Sequence, residues 1–341
     1  MGPIGSAAAA AVRAEAGMRL VGLVDSRPER VGKVLDDMQW STAETGDGPA
    51  VSDQERRLLV TDDVAEAAGQ ADVAVVATSS RFDVVAPMLK TIVSQGASVV
   101  SSCEELAWPW YQHPALAAEL HELAAGHEAT VLGTGVNPGF SMDSLAVTLS
   151  SLARRVRSVR CVRRVDASVR REAVAARLGL RLSADEFAKR QDEIGIDVAG
   201  MAESVCMVAA GLGRSVLAGE VEQTITPIIA EQAFRTRGRQ LLVRQGDVRG
   251  LHAVAKWQGD LGVELDLTVS HDLEDPTDFI VIDGPVQLRL SMPGGLPGDS
   301  GTVAALFNHI PVVQNARPGL LTMLDVPPAG CHNMDLASSP A

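Results

Sequence analysis

Along the first 140 positions, short unbroken apolar runs alternate with longer segments of mixed polarity. The runs MRLVGLVD (18–25), ADVAVVAT (71–78), ASVVSS (97–102) and ATVLGTG (129–135) read as strands buried on both faces, as in a parallel sheet. Residues 58–60 add a short strand. The intervening segments 6–16, 28–38, 61–69, 83–95 and 114–126 read as helices, with Pro28 at a first position where its missing N–H costs nothing. Residues 40–57 are polar, rich in Gly, Ser and Asp, and read as an exposed insertion. This alternation predicts an α/β fold: a Rossmann-type doubly wound parallel sheet.

Beyond about residue 150 the rhythm changes. Residues 157–168 alternate as a strand does. SADEFAKRQDEIG (183–195) predicts a helix opened by a capping box, Ser183 facing Glu186, and MAESVCMVAAGL (201–212) a helix ended by Gly213. Five strand-like runs follow, at 224–235, 240–246, 250–258, 263–272 and 278–292. Helices and strands in separate blocks predict a second, α+β domain with a mostly antiparallel sheet. PGGLPGDSG (293–301) reads as a linker, and 302–316 as a helix returning to the first domain. The expected division is 1–140 plus 302–341 for the first domain and 141–301 for the second.

Composition narrows the function. Apolar residues make up 46% of the 341 and charged residues 21%, the balance of a soluble globular protein. A net charge of −13 argues against nucleic acid or an anionic membrane as the main partner. The four cysteines are far apart and form no CxxC, and the seven histidines form no HExxH, so no metal is expected and a reducing cytoplasm is. The alanine run near the start lacks a basic flank and is broken by Arg13 and Glu15, unlike a secretory signal.

The chain opens MGPIGSAAAAAV, which looks like the second half of a phosphate-binding turn running into a helix. Gly2 would let backbone approach a pyrophosphate, with Pro3 and Ile4 in the turn; Gly5 and the alanines would let the helix pack close to a sheet. Asp25 ends the next strand about 20 residues on, where a carboxylate would accept from an adenosine ribose. The fingerprint's first strand and first glycine are expected upstream of Met1. Arg27 leaves the choice between NAD and NADP open, because it could pair with a 2′-phosphate or simply be a solvated turn residue.

Ligands of such sheets bind at the carboxyl ends of the strands. Three ends carry candidate chemistry. ATSSRF (77–82) offers Thr78, Ser79 and Ser80 toward a cofactor. VVSSCEELAWPW (99–110) sets Cys103 and two glutamates after an apolar strand. Adjacent side chains diverge, so at most one of Glu104 and Glu105 faces the cleft. Desolvation by Trp108, Pro109 and Trp110 would favour a carboxyl that both takes and gives a proton. A helix start that attracts acids for its dipole would look the same. LGTGVNPGFSMDSL (132–145) makes a rigid loop with Asn137 and Pro138 where the nicotinamide half would lie.

In order, SSCEEL with a following WP, GTGVNPGF, VRRVDASVRR, GLRLSADEFAKRQDEIG with MAESVCMVAAGLG, and NHIPVVQNARPGLLT resemble the family of 2,4-diaminopentanoate dehydrogenases and amine dehydrogenases. Their first domain is similar to that of dihydrodipicolinate reductase. The resemblance implies NAD(P)-dependent interconversion of an amine with a carbonyl compound plus ammonia, in a homodimer. It places the catalytic carboxylate at Glu104. Segments expected to face the substrate supply Phe140, Met142, Asp197, Met201 and Asn308, with Asp197 standing where relatives tend to have histidine. A cyclic-imine reductase and a non-catalytic dinucleotide-binding protein are the alternatives. The histidine-rich stretch of dihydrodipicolinate reductase is absent.

Overall fold

The computed structural model describes residues 2–15, 17–34, 57–169, 172–193, 196, 198–237 and 239–331. The chain divides into two compact units, Met1–Gly139 with Pro297–Ala341, and Phe140–Leu296.

The first unit opens with helix α1 (Pro3–Ala14) and continues through strands β1 (Leu23–Val24) and β2 (Val60–Thr61), which pair in parallel. Helix α2 (Val64–Ala68) leads into strand β3 (Val73–Val76), helix α3 (Phe82–Val93), strand β4 (Ser98–Ser101), helix α4 (Pro114–Gly126) and strand β5 (Thr130–Gly133). Strand Gly319–Leu321 joins them in a four-stranded, all-parallel sheet with β3 at one edge, then β4, β5 and Gly319–Leu321. Strands as short as β4 and β5 suffice because both of their faces are buried. Val99 and Val131 enter an apolar cluster with Phe82, Leu89 and Leu120 of the flanking helices. Val100 and Leu132, on the opposite face, are equally enclosed. The helix Ile310–Asn315 packs on β3, β4 and β5.

The second unit is a six-stranded mixed sheet over helices. Helices α5 (Ser144–Ser150), α6 (Glu172–Arg177), α7 (Ala184–Glu193) and α8 (Met201–Gly211) surround strand β6 (Ser158–Asp166) in sequence. Strands β7 (Glu222–Ile229), β8 (Phe234–Arg235), β9 (Leu242–Val243), β10 (Val248–Gln258), β11 (Gly262–Ser270), β12 (Thr277–Asp283) and β13 (Leu288–Pro293) follow. The sheet order is β13-β12-β6-β11-β10-β7, and only the β6–β11 pairing is parallel. Strand alternation sorts the residues cleanly. Val159, Cys161, Leu251, Leu265 and Ile280 face α8 in the core. Arg160, His252, Lys256, Glu264 and Asp266 line the other face, linked by ion pairs of 2.8–3.0 Å.

One polar group breaks the apolar face. Arg163, 3% exposed, meets the equally buried Asp278 at 2.8 Å. Together they grip one residue of backbone: Arg163 donates to the Leu296 carbonyl at 2.9 Å, and the Leu296 N–H donates to Asp278 at 2.7 Å.

The last elements are helices α9 (Asp299–Asn308) and α10 (Ile310–Asn315) and strand β14 (Gly319–Leu321). All three belong to the first unit, where α9 packs on α1.

Three local expectations needed revision. Residues 28–33 are turns rather than helix: Gly32 takes φ +80° and donates to the Val60 carbonyl at 2.8 Å, bending the chain back beside β2. The segment 278–292 is two strands, because Asp283-Gly284-Pro285 starts a turn. The segment 302–316 is two helices, broken at His309 before Pro311. Helix α5 follows the Asn137–Pro138 loop, with Asp143 as its cap accepting from the Ser144 N–H at 2.6 Å. The capping box at Ser183 is formed in both directions, at 2.9 Å from the Ser183 N–H to Glu186 and 3.2 Å from the Glu186 N–H to Ser183. Residues 40–56, expected as an insertion, lie outside the described residues. Among the described residues, no helix is long and apolar enough to cross a membrane.

Candidate functional site

The carboxyl ends of β1, β3 and β4 gather the candidate chemistry of the first unit. Gly2 is the N-cap of α1 with Pro3 in its first turn; the Ser6 N–H already bonds the Gly2 carbonyl at 2.9 Å. The N–H groups of Ile4 and Gly5 are first-turn donors with no intrahelical acceptor, suited to an anionic phosphate. A Cβ on Gly2 would meet nothing within 4 Å, so the approach is open.

Asp25, 8% exposed, sits just after β1 and is engaged by Arg27 as a two-pronged fork. Arg27 Nε donates to Oδ1 at 3.0 Å, Nη2 to Oδ2 at 2.7 Å, and the Arg27 N–H to Oδ1 at 3.0 Å. Arg30 Nη1 lies 3.8 Å from Oδ2. Thr78 is exposed after β3, with Ser79 and Ser80 partly exposed beside it. The Ser79 hydroxyl accepts the Arg81 N–H at 3.2 Å. These donors and the Asp25 carboxylate are of the residue types that line the dinucleotide crevice of such folds.

After β4 the chain makes a single 3-10 turn, Glu104–Ala107. This separates the two glutamates. Glu105 is 3% exposed and turned inward, where its Oε2 accepts the Phe82 N–H at 2.7 Å. Glu104 stays partly exposed. Sequence spacing alone left the choice between them even; the turn decides which carboxylate faces outward.

Cys103 does not extend toward a cofactor. Its thiol is enclosed and donates to the Ser80 carbonyl at 3.2 Å, and burial pushes it up to about 12. The loop 134–139 folds tightly on itself: Pro138 is buried, Asn137 is partly exposed, and Gly139 at φ +119° leaves no room for a side chain against Gly135. Phe140 is 42% exposed at the start of the second unit. Met142 and Met201 are enclosed in that unit's apolar core, where packing accounts for both. Asn308 is partly exposed at the end of α9. Asp197 lies outside the described residues.

A close approach that sequence reasoning missed fixes the 104–107 turn. A Cβ at Gly133, the last residue of β5, would lie 2.6 Å from the Leu106 carbonyl carbon and oxygen. Gly133→Ala is therefore expected to push this turn away, costing about 1–3 kcal/mol of stability through overpacking. A thermal melt set beside kcat would check it. A variant with the parent's melting point would mean that the turn gives way freely.

Among the described residues, Asp83, Glu105 and His113 bring potential ligand atoms within 4.8 Å of one another. Two of the three are already hydrogen-bonded by the protein, whereas the His113 Nε2 makes no hydrogen bond. Arg81 takes both Asp83 oxygens, at 3.1 and 2.7 Å, holding that carboxyl below the usual range, and the Phe82 N–H takes Glu105.

Parallel strands flanked by helices, with polar and acidic residues at their carboxyl ends, are the frame of a Rossmann-type dehydrogenase. The profile of the 2,4-diaminopentanoate dehydrogenase C-terminal domain matches residues 140–339. The 2,4-diaminopentanoate dehydrogenase of Acetoanaerobium sticklandii is 30% identical over 336 residues, spanning 96% of this chain and 91% of its own. The chain belongs to the 2,4-diaminopentanoate dehydrogenase family. Its fold is shared with the solved amine dehydrogenase from Mycobacterium smegmatis, with a TM-score of 0.80 at 24% identity over 96% of this chain and 94% of the other.

Proposed function

We propose that this protein is an amine dehydrogenase that interconverts an amine or diamino acid with the corresponding carbonyl compound and ammonia, with Glu104 as its acid–base group. The observation that carries the reading is the different burial of the two glutamates: Glu105 is enclosed and bonded to the Phe82 N–H, and Glu104 is partly exposed just after β4.

Helix α1, Asp25 and the Ser79–Ser80 loop would hold the dinucleotide, with Asn137 and Pro138 beside its nicotinamide end. When bound, it supplies the hydride acceptor or donor at C4 of the nicotinamide. In deamination the substrate ammonium must lose a proton before its carbon can release hydride, and Glu104 accepts that proton. Once Glu104 has passed that proton to solvent, the restored carboxylate stabilises the positive charge of the forming iminium. Glu104 then takes a proton from the attacking water and returns one to the departing nitrogen. The sum is ammonium substrate, NAD(P)⁺ and water giving carbonyl compound, ammonium ion, NAD(P)H and a proton. Reductive amination runs the same sequence backwards. Phe140, Asp197 and Asn308 remain candidates for substrate contact, and a homodimer is the expected assembly. Among the described residues none of the four cysteines is joined in a disulfide, which suits the cytoplasm.

The cofactor subsite is built for either dinucleotide. Asp25 can accept from a free ribose 2′-hydroxyl, while Arg27 and Arg30 offset its charge and offer cations to a 2′-phosphate. Arg27→Ala is expected to lower kcat/KM with NADP by about tenfold or more, the worth of a charge-assisted hydrogen bond, and to spare NAD. Parallel initial rates with the two cofactors measure this.

The reading itself is tested with a panel of amines and diamino acids, and of ketones with ammonia, each with both dinucleotides. Ammonia-dependent oxidation of NAD(P)H is the expected result. Reduction of cyclic imines without ammonia, or dinucleotide binding with no turnover across the panel, would overturn it.

A further inference from the structure

A second carboxylate buried directly beside the proposed acid–base group calls for an explanation, because burying a charge is unfavourable unless it is well bonded. Glu105 is gripped at both ends. Its backbone N–H donates to the Ser80 carbonyl at 3.1 Å, and its side chain accepts the Phe82 N–H at 2.7 Å. That N–H lies at the start of the twelve-residue helix α3, whose dipole favours an anion there. The residue therefore bolts the turn bearing Glu104 to the loop bearing Ser79 and Ser80 at two points.

His113 closes the arrangement from the far side. Its Nε2 lies 3.4 Å from the Glu105 carboxylate, and its ring meets Phe82 edge-on at 5.9 Å. Its backbone N–H bonds the Pro109 carbonyl at 2.9 Å, tying down the Trp108–Trp110 segment that follows the turn.

We infer that Glu105, backed by His113, is a positioning residue: it sets where Glu104 stands relative to the Ser79–Ser80 loop. This rests on the amine dehydrogenase reading and adds a second residue to its site. The physical reason is that reacting groups must meet within a fraction of an ångström, so that a displacement of about 1 Å costs on the order of a hundredfold in rate. A lone turn at a strand end would not hold its side chain that closely.

The test is a double-mutant cycle on the full-length protein. Turnover and dinucleotide affinity are measured for Glu105→Ala, Glu104→Ala and the double variant, below their melting temperatures. Glu105→Ala is expected to lower kcat by about tenfold to a hundredfold with a much smaller change in amine KM. In the Glu104→Ala background the same change should have no further effect, because the group being positioned is gone. Glu105→Gln keeps an oxygen for the Phe82 N–H and should recover most of kcat.

A merely structural Glu105 would lower stability while its effects multiplied independently in the double variant; that result overturns the inference, as does a Glu105→Ala enzyme with the parent's kcat. If Glu104→Ala alone keeps full turnover, the acid–base reading fails and the positioning role falls with it. Should Glu105→Ala not fold, Glu105→Asp takes its place: one methylene shorter, it should bind dinucleotide and lose about tenfold or more of kcat, and parental kcat would count against the inference.

Discussion

Glu104→Gln lowers kcat by about 10²–10⁴-fold in the expected outcome, with dinucleotide affinity nearly unchanged. The amide keeps the size and hydrogen-bonding reach of the carboxylate but cannot take the ammonium proton or balance an iminium charge. Both losses fall on the chemical step, so kcat and kcat/KM should drop together. Fluorescence titration with reduced dinucleotide, set beside single-turnover rates, separates binding from chemistry. A Gln variant with the parent's turnover would remove Glu104 from the mechanism, and with it the reason for assigning amine chemistry to this turn. A variant that lost dinucleotide binding would instead make Glu104 part of the cofactor subsite.

The largest expected effect on stability lies in the second unit, at Arg163. Arg163→Met should destabilise the second unit by about 3–5 kcal/mol, because it strands the Asp278 carboxylate in the core. The loss has two parts. The 2.8 Å ion pair disappears, and the Leu296 carbonyl loses its donor. Replacing both members, Arg163→Met with Asp278→Leu, should restore much of the loss, since no charge is then left buried; the Leu296 N–H, deprived of its acceptor, keeps the recovery incomplete. Denaturant midpoints for the two single variants and the double variant would show it. Equal midpoints for the parent and Arg163→Met would mean that water reaches Asp278 readily.

Much of this was legible in the chain before its structure. The apolar runs at 71–78, 97–102 and 129–135 became parallel strands because a doubly covered strand must be apolar throughout, and few other elements are. The capping box at Ser183 was equally plain, since its two partners are fixed by local spacing. What escaped the sequence was set by contacts distant along the chain. Residues 28–33 have a helical pattern, yet pairing with the Val60 strand turned them aside. Met142 and Met201 carry no mark that distinguishes a core methionine from one lining a pocket; only the packing around them does.

The candidate site shows the same split. The strand ends and their polar residues could be read in advance, because the fold class fixes where ligands lie. Two features could not. Adjacent glutamates are equivalent in sequence, and the inward turn of Glu105 depends on Phe82, which lies 23 residues earlier. The need for glycine at 133 arises from Leu106, two elements away.

The enclosed thiol of Cys103 bears on how the enzyme ages. A sulfur so reluctant to ionise reacts slowly with peroxides and electrophiles, which attack thiolates. The neighbour of the key carboxylate is thus a poor target for oxidative damage. Of the chain's four cysteines, the exposed one at 331 is the natural place for such modification to begin.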